Sequence, residues 1–218
     1  MRLYGQTPRG LGMVAVPALF IVLAWAGMAA ALDAASADAF ASSLVSQLGR
    51  TKGFCAIPNC GNGQLARAFL QGSGMKVHAM DPDTADVSAA RELMASAGLT
   101  APRFYCDKGT LAVMPYADRF ADIIVITNLT DADLAGVSYA EIERALAPNG
   151  KAWVGRVTAE GAGATINALQ SWISAATKRY STATTSTTLG NWAVISRQEL
   201  SGVDAWPRRA YDAAGRGG

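Results

Sequence analysis

The sequence predicts a doubly wound α/β domain: a mostly parallel, Rossmann-like sheet of about seven strands, helices on both faces and a C-terminal antiparallel hairpin. Short apolar runs of strand length alternate with longer segments whose apolar residues recur every three or four positions, as in helices. A glycine-containing turn, Cys60-Gly61-Asn62-Gly63, separates the first run from the helix that follows it. Because strand–helix–strand units pair their strands in parallel, this alternation predicts a sheet with both faces covered.

The composition is that of a globular or membrane-associated protein. Apolar residues make up 50% of the 218 residues and charged residues 17%, which excludes a disordered chain. The formal net charge is +2, and no run of Lys or Arg is longer than two residues. The sequence therefore lacks the basic stripe of a nucleic-acid-binding protein, and we expect no nucleic-acid partner. The length suits one well-buried domain beside an N-terminal extension.

Residues 1–32 are predicted to be that extension, either a signal peptide or an N-terminal membrane anchor. Arg2 and Arg9 precede an uncharged run over residues 10–32 that contains Ala29-Ala30-Ala31 near its end. A basic start, an apolar centre and small residues before a cleavage point are typical of a secretory signal. The run is also long enough to cross a bilayer, and a buried core helix is a third interpretation. Both favoured interpretations predict that the domain is exported (periplasmic) or anchored to the membrane, with membrane contact only through this segment.

The first half of the domain, which we expect to span residues 33–197, contains three predicted helices and three predicted strands. The helices are expected at residues 34–48, 64–71 and 84–97, because apolar residues recur at helical spacing and glycines follow the segments. The strands are expected from residue 54 to the glycine turn, at residues 75–80 and at residues 102–106.

The second half continues the alternation and ends in a hairpin. The β-branched run at residues 121–127 predicts a fully buried central strand. Its successors are a helix at 139–146, a turn at 148–150, a strand at 151–157, a helix at 164–176 and two extended runs, 181–188 and 192–197, around a turn at 189–191. Residues 198–218 are polar and predicted to form a flexible tail.

The glycine turn and one acid predict a nucleotide-type cofactor. A turn from strand to helix points backbone N–H groups and the positive end of a helix dipole at one place, and glycine lets a ligand approach the backbone closely. Asp81 follows Gly63 by eighteen positions, at the tip of the second strand. A carboxylate there is placed to accept hydrogen bonds from a ribose diol.

The three cysteines and the single histidine predict no metal site. Cys55, Cys60 and Cys106 form no Cys-x-x-Cys pair, so we expect buried thiols that fill space in or beside strands. If the domain is exported, a disulfide between Cys60 and Cys106 is the alternative, since both are predicted at strand ends on one rim. His78 is predicted to be a partly buried strand residue rather than a general base.

Taken in order over residues 38–197, these motifs resemble a class I S-adenosylmethionine-dependent methyltransferase of the type 11-like kind. Cys60-Gly61-Asn62-Gly63 resembles the family's Gly-Cys-Gly-Thr-Gly loop. Met114-Pro115-Tyr116, followed by Phe120-Ala121-Asp122, resembles the family's Leu-Pro-Phe then Phe-Asp passage into the fourth strand. The segment from Glu141 to Lys151 resembles the family's helix that ends in Arg-Val-Leu-Lys-Pro-Gly-Gly.

The resemblance implies S-adenosylmethionine as the cofactor and a small molecule as the methyl acceptor. In this family Asp81 corresponds to the ribose-binding acid, and Cys106-Asp107 to a Gly-Asp pair whose acid faces the adenine amino group. No catalytic residue is implied, because methyl transfer depends mainly on alignment of the reactants and exclusion of water. Tyr116, Asn128 and Asp131 are candidate acceptor-pocket residues. The implied cofactor-binding residues are Asn59, Cys60, Gly61, Gly63, Asp81, Pro82, Cys106, Asp107 and Asn128.

Two departures from the family pattern keep other functions open. Ile57 stands where the family has an acid, and Asn59 where it has its first loop glycine. Loss of that acid weakens the binding free energy of the cofactor by about 1–3 kcal/mol if its hydrogen bonds are not replaced. One alternative is therefore a catalytically inactive, exported interaction or scaffold module, similar to the methyltransferase-like module found ahead of PQQ-type β-propellers. Another is an NAD-dependent oxidoreductase, because Gly61-x-Gly63-x-x-Ala66 fits that fingerprint, although the Tyr-x-x-x-Lys pair of many reductases is absent.

Overall fold

The computed structural model describes residues 31–198 and places seven strands in one sheet in the order β3-β2-β1-β4-β5-β7-β6. The helices are α1 Ala34–Leu48, α2 Gln64–Gly72, α3 Thr84–Ser96, α4 Tyr139–Ala145 and α5 Ile166–Ala175. The strands are β1 Phe54–Pro58, β2 Lys76–Asp81, β3 Phe104–Lys108, β4 Ala121–Ile126, β5 Leu146–Val157, β6 Ser181–Thr187 and β7 Gly190–Ser196. Short 3₁₀ helices at Asp133–Gly136 and Thr158–Glu160 were not predicted.

The sheet confirms the predicted doubly wound plan. Strands β1 to β5 pair in parallel, and β7 runs antiparallel between β5 and β6. Helices α1, α2 and α3 pack on one face, where Phe40 of α1 stacks on Trp192 of β7 at 4.5 Å between ring centroids. Helices α4 and α5 pack on the other face. Both faces of the central strands are thus buried, which explains their unbroken apolar sequences.

Several boundaries differ from the prediction, and three of the differences follow from pairing with a neighbouring strand. Strand β3 begins and ends two residues later than expected, since its pairing with β2 continues to Lys108 opposite Asp81. The turn predicted at 148–150 lies inside β5, where the partner of β4 shifts between Leu146 and Lys151. The hairpin turn is residues 188–189 rather than 189–191, because Thr187 already pairs with Gly190.

The predictions for the two ends of the chain lie almost wholly outside the described residues. The signal peptide or anchor at 1–32 and the tail at 198–218 therefore stay predictions. Within residues 31–198, no helix combines the length and the apolar character that crossing a membrane requires.

Candidate cofactor site

The candidate site lies where the winding of the sheet reverses. From β1 the chain proceeds outward to β2 and β3, and then returns to β4 on the other side of β1. In open α/β sheets, ligands bind at such a reversal, beyond the carboxyl ends of the strands. Here a groove of about 760 Å³ opens at that place. Its lining residues are Asn59, Pro82, Thr110, Leu111, Ala112, Asn128, Leu129, Thr130, Ala132, Asp133, Gly136 and Arg156.

The loop after β1 keeps the backbone of a glycine loop even though its first position is asparagine. Asn59, Gly61 and Gly63 all have left-handed backbones, with φ of 67°, 51° and 81°. Asparagine tolerates this region better than most residues with a side chain. The Asn59 amide also donates to the Thr127 carbonyl at 2.8 Å, which ties the end of β1 to the end of β4. Asn59 thus replaces glycine in conformation and adds a contact across the reversal point.

The two loop glycines have different surroundings. A Cβ on Gly61 would meet nothing within 4 Å, so open space lies beside the loop at that residue. A Cβ on Gly63 would lie 2.8 Å from both Cα and Cβ of Ala90 in α3. Close packing of α3 against the loop therefore accounts for Gly63, and a cofactor contact at Gly63 stays a prediction, whereas Gly61 leaves room for a ligand.

Asp81 lies against the loop, as the sequence predicts, but its carboxylate already has backbone partners. It is 2% exposed, and it accepts hydrogen bonds from the backbone N–H groups of Gly61 and Asp83, both at 2.9 Å. Cys60 N–H donates to the Met80 carbonyl at 2.9 Å, which holds the loop against the end of β2. Asp81 is not among the residues that line the groove, so its contact with a ribose stays a prediction.

Asp107 does not line the groove, in contrast to its predicted place. It lies within β3 and contacts His78 Nε2 at 3.1 Å and Arg91 Nη2 at 3.3 Å. Its side chain borders a separate hollow that contains His78, Tyr105 and Phe120. The reason is the later position of β3 in the sequence: the strand continues past Asp107, and Gly109 N–H still donates to the Asp81 carbonyl at 3.0 Å.

Thr110 therefore occupies the rim position that the sequence prediction gave to Asp107, and it lines the groove beside Pro82. No local sequence signal locates it, because the end of β3 is set by its pairing with β2. His78 is confirmed as a partly buried strand residue, with Nδ1 3.0 Å from the Tyr116 hydroxyl. Tyr116 itself is buried in the core beside Phe54, outside the groove.

The end of β4 is held by a buried carboxylate that the sequence did not reveal. Glu160 Oε2 accepts from the Thr127 hydroxyl at 2.6 Å and from the backbone N–H of Asn128 at 3.2 Å and of Val157 at 3.1 Å. Burial raises the pKa of Glu160, and these hydrogen bonds oppose the shift. Asn128 has φ of 59° and lines the groove, and its contact with a cofactor or acceptor stays a prediction. Asp131 instead binds Thr165 N–H at 2.6 Å and does not line the groove.

The cysteines are buried and free, as expected of space-filling thiols. Cys60 Sγ and Cys106 Sγ are 4.0 Å apart, so the predicted neighbourhood is confirmed without a bond between them. The contact with Cys106, together with burial, raises the pKa of the Cys60 thiol well above its usual range. Ile57 is fully buried in the cluster under α1 to α3, so an apolar side chain fills the place of the family's acid.

Comparison with known proteins agrees with the geometry. Residues 59–150 match the family model of a methyltransferase domain. The chain is similar to a putative S-adenosyl-L-methionine-dependent methyltransferase from Methanococcus maripaludis, with 19% identity and a TM-score of 0.65 over 78% of this chain and 89% of that one. It is also similar to a SAM-dependent methyltransferase from Aquifex aeolicus, with 13% identity and a TM-score of 0.54 over 76% of this chain and 97% of the other. No curated protein sequence matches the chain. The chain therefore has the fold of the S-adenosylmethionine-dependent methyltransferases, and residues 59–150 match the model of a methyltransferase domain.

Proposed function

We propose that the protein transfers a methyl group from S-adenosylmethionine to a small-molecule acceptor held in the groove between Asn59 and Asn128. The observation that carries this proposal is the position of the groove at the reversal point of a methyltransferase fold. Its volume of about 760 Å³ lies within the range of about 300–1,000 Å³ that is usual for small-molecule sites.

The residues beside the loop fit the cofactor. Open space at Gly61 lets a ligand approach the backbone, and the carboxylate of Asp81 holds the loop at that residue. Pro82 and Thr110 line the part of the groove next to the ends of β2 and β3. When bound, S-adenosylmethionine supplies an electrophilic methyl group whose leaving group is a neutral thioether. The protein then has to align the acceptor and keep water out, and no general base is required for every acceptor.

The chemistry of the rim supports a small acceptor other than a nucleobase or a glutamine side chain. Residues 127–130 read Thr-Asn-Leu-Thr, unlike the Asn-Pro-Pro-Tyr type motif used on such amino nitrogens. The modest net charge of +2 gives no basic surface for nucleic acid.

The altered loop weakens cofactor binding without abolishing it. Asn59 keeps the left-handed backbone of the missing glycine, so the path of the loop is preserved. The buried Ile57 supplies no hydrogen bond where the family has an acid. Loss of one or two hydrogen bonds to a charged group corresponds to about 1–3 kcal/mol, or roughly a tenfold to hundredfold weaker affinity.

An inactive binding module is the second candidate. Its specific support is that Asp81, the expected ribose acceptor, already binds two backbone N–H groups. The N-terminal pattern of residues 1–32 adds to this: we propose export or membrane anchoring, and S-adenosylmethionine is made in the cytoplasm.

Titration of the full chain with S-adenosylmethionine, S-adenosylhomocysteine and NAD by isothermal calorimetry tests the proposal. We expect dissociation constants in the micromolar range for the first two ligands and no heat with NAD. No response to either sulfur compound at millimolar concentration would overturn methyl transfer in favour of the inactive module. A response to NAD alone would favour the oxidoreductase.

Two matched glycine variants locate the binding place. A Cβ on Gly136, which lines the groove, and one on Gly72, at the end of α2, would each meet nothing within 4 Å. Gly136→Leu is therefore expected to obstruct the groove and weaken S-adenosylhomocysteine binding at least tenfold. Gly72→Leu is expected to leave binding unchanged. Equal affinities in both variants would place the ligand elsewhere.

A further inference from the structure

A buried arginine at the groove has no assigned role in the proposed reaction. Arg156, near the carboxyl end of β5, is 6% exposed and lines the groove together with Asn128 and Gly136. Its side chain lies flat against Gly163, where an added Cβ would clash with it. The guanidinium is therefore fixed in place before any ligand arrives.

The guanidinium has more hydrogen-bond donors than partners. Nη1 donates to the Ala162 carbonyl at 2.8 Å and Nη2 to the Glu160 carbonyl at 2.6 Å. Within residues 31–198, the buried Nε has no partner. A guanidinium carries five N–H donors, so three have no acceptor among the described residues.

The acids near Arg156 are committed to other groups. Glu160 Oε2 accepts three hydrogen bonds from Thr127, Asn128 and Val157, and no ion pair joins Glu160 to Arg156 in the described part of the chain. Asp133 accepts from both the backbone N–H and the hydroxyl of Thr130, each at 2.7 Å. No carboxylate of the described residues forms an ion pair with Arg156, although Glu160 is close enough to interact electrostatically with its charge.

Arg103 shows that this chain also contains an arginine used only for structure. Its Nη2 donates to the carbonyls of Leu70, Ser73 and Met75, at 2.9, 2.6 and 3.0 Å, and its Nε donates to Met75 at 3.3 Å. Unlike that of Arg156, the Nε of Arg103 has a partner, and Arg103 lines no part of the groove. Arg103 is thus the natural control for Arg156.

We infer that Arg156 is a specificity residue that binds an oxyanion, above all a carboxylate, of a ligand in the groove. The inference rests on the proposed function and adds a chemical class to the ligand. A guanidinium matches a carboxylate with two parallel hydrogen bonds, and these are strongest where water is excluded. The carboxylate has two possible sources, the amino-acid end of the cofactor or the methyl acceptor.

Binding by Arg156→Gln, Arg156→Lys, Arg103→Gln and the unmodified full chain distinguishes the two sources. The probes are S-adenosylhomocysteine, which has the carboxylate, and 5′-methylthioadenosine, which lacks the amino-acid end. Succinate and inorganic phosphate are then titrated, with and without S-adenosylhomocysteine, as stand-ins for an anionic acceptor.

If the oxyanion belongs to the cofactor, Arg156→Gln weakens the binding of S-adenosylhomocysteine by about tenfold to hundredfold and leaves the affinity for 5′-methylthioadenosine unchanged. If it is the acceptor's, both adenosine compounds keep their affinities, and the binding of succinate or phosphate is lost in Arg156→Gln. Arg156→Lys retains the charge and is expected to recover part of either loss. Arg103→Gln is expected to change no affinity.

Unchanged affinity for every probe in folded Arg156→Gln would overturn the inference, and so would equal losses for S-adenosylhomocysteine and 5′-methylthioadenosine. If Arg156→Gln does not fold, the affinities of Arg156→Lys for the same probes test the inference instead. Failure of the unmodified protein to bind either adenosine compound refutes the proposed function instead. The succinate and phosphate titrations without cofactor then still test Arg156 separately.

Discussion

The two edges of the sheet differ in how their polar groups are paired. The amino rim is the edge where the parallel strands begin, and the carboxyl rim is the edge where they end. At the amino rim, Asp122 binds Arg50 Nη1 at 2.6 Å and the backbone N–H of Phe54 at 2.8 Å, which fastens the start of β1 beside β4. Nearby, Arg144 donates to Glu141, to Asp118 and to two backbone carbonyls of the segment that leads into β4. Charges at this rim are paired within the protein.

At the carboxyl rim Asp81 and Glu160 also have partners, but some hydrogen-bond donors have none among the described residues. Asn59 and Asn128 stand in left-handed backbones on the two sides of the reversal point, and both line the groove. Arg156 keeps three donors without partners in the described structure. The difference indicates that the charged groups at the amino rim hold the fold together, whereas the carboxyl rim keeps some hydrogen-bond donors for a ligand. Substitutions at either rim can test this division.

The largest loss of stability is expected from Gly63→Ala, which tests how tightly α3 holds the carboxyl rim. The new Cβ would lie 2.8 Å from Ala90, and φ is 81°, so strain and overpacking together amount to about 3 kcal/mol or more. Gly61→Ala is the control, because Gly61 also has a positive φ but has open space around it. We expect it to lose about 1 kcal/mol of unfolding free energy. Urea unfolding measures both. Equal losses of stability in the two variants would show that α3 can move away from the loop to make room for the new Cβ.

Asp122→Ala should come next and should affect the amino rim alone. It leaves Phe54 N–H and Arg50 Nη1 without their acceptor, while Arg50 Nη2 keeps its backbone partners, and about 2–3 kcal/mol of unfolding free energy is expected to be lost. Asp118→Ala removes an acid whose side chain is 73% exposed, and about 0.5 kcal/mol is expected. Neither change should alter S-adenosylhomocysteine affinity in calorimetry. A tenfold loss of affinity in Asp122→Ala would contradict the separation of the rims.

A smaller effect is expected from acid, again at the amino rim. Hydrogen bonds from Arg144 and Met114 N–H lower the pKa of Glu141 from 4.5 to about 2. Because the folded pKa is depressed, the stabilisation is complete above pH 4.5 and is lost as the pH falls toward 2. After solvent screening we expect about 1–2 kcal/mol.

Glu141→Gln is the matched variant for this titration. Urea midpoints of the two proteins should differ most above pH 5 and converge near pH 2. A constant difference across this range would contradict the assigned pairing.

The smallest effect is expected from Asn59→Gly at the carboxyl rim. Glycine accepts φ of 67° without strain, while the bond to the Thr127 carbonyl is lost, so the two changes nearly cancel within about 0.5 kcal/mol. Asn59→Ala loses the bond and gains strain, and about 2 kcal/mol is expected. Thermal unfolding with the two variants side by side measures the difference. Equal stability would refute the role of Asn59 as a conformational substitute for glycine.

By itself the sequence determined the order of elements, the parallel sheet and the loop between β1 and α2. These features follow from the local periodicity of apolar residues and from turn residues. Both patterns extend over a few positions, so they can be recognised without knowledge of the partner strands. The place of Asp81 against the loop was predictable for the same reason: it ends a short, clearly bounded strand.

Only the tertiary structure decided which side chains meet at the groove. Asp107 turned out to lie within β3 because pairing with β2 carries that strand past it, and Thr110 occupies the rim instead. The contact of Gly63 with Ala90, the carboxylate of Glu160 under Thr127 and the unpaired donors of Arg156 each join segments far apart in the chain. Such contacts depend on strand register and on packing between elements, and neither is encoded in the pattern of any single segment.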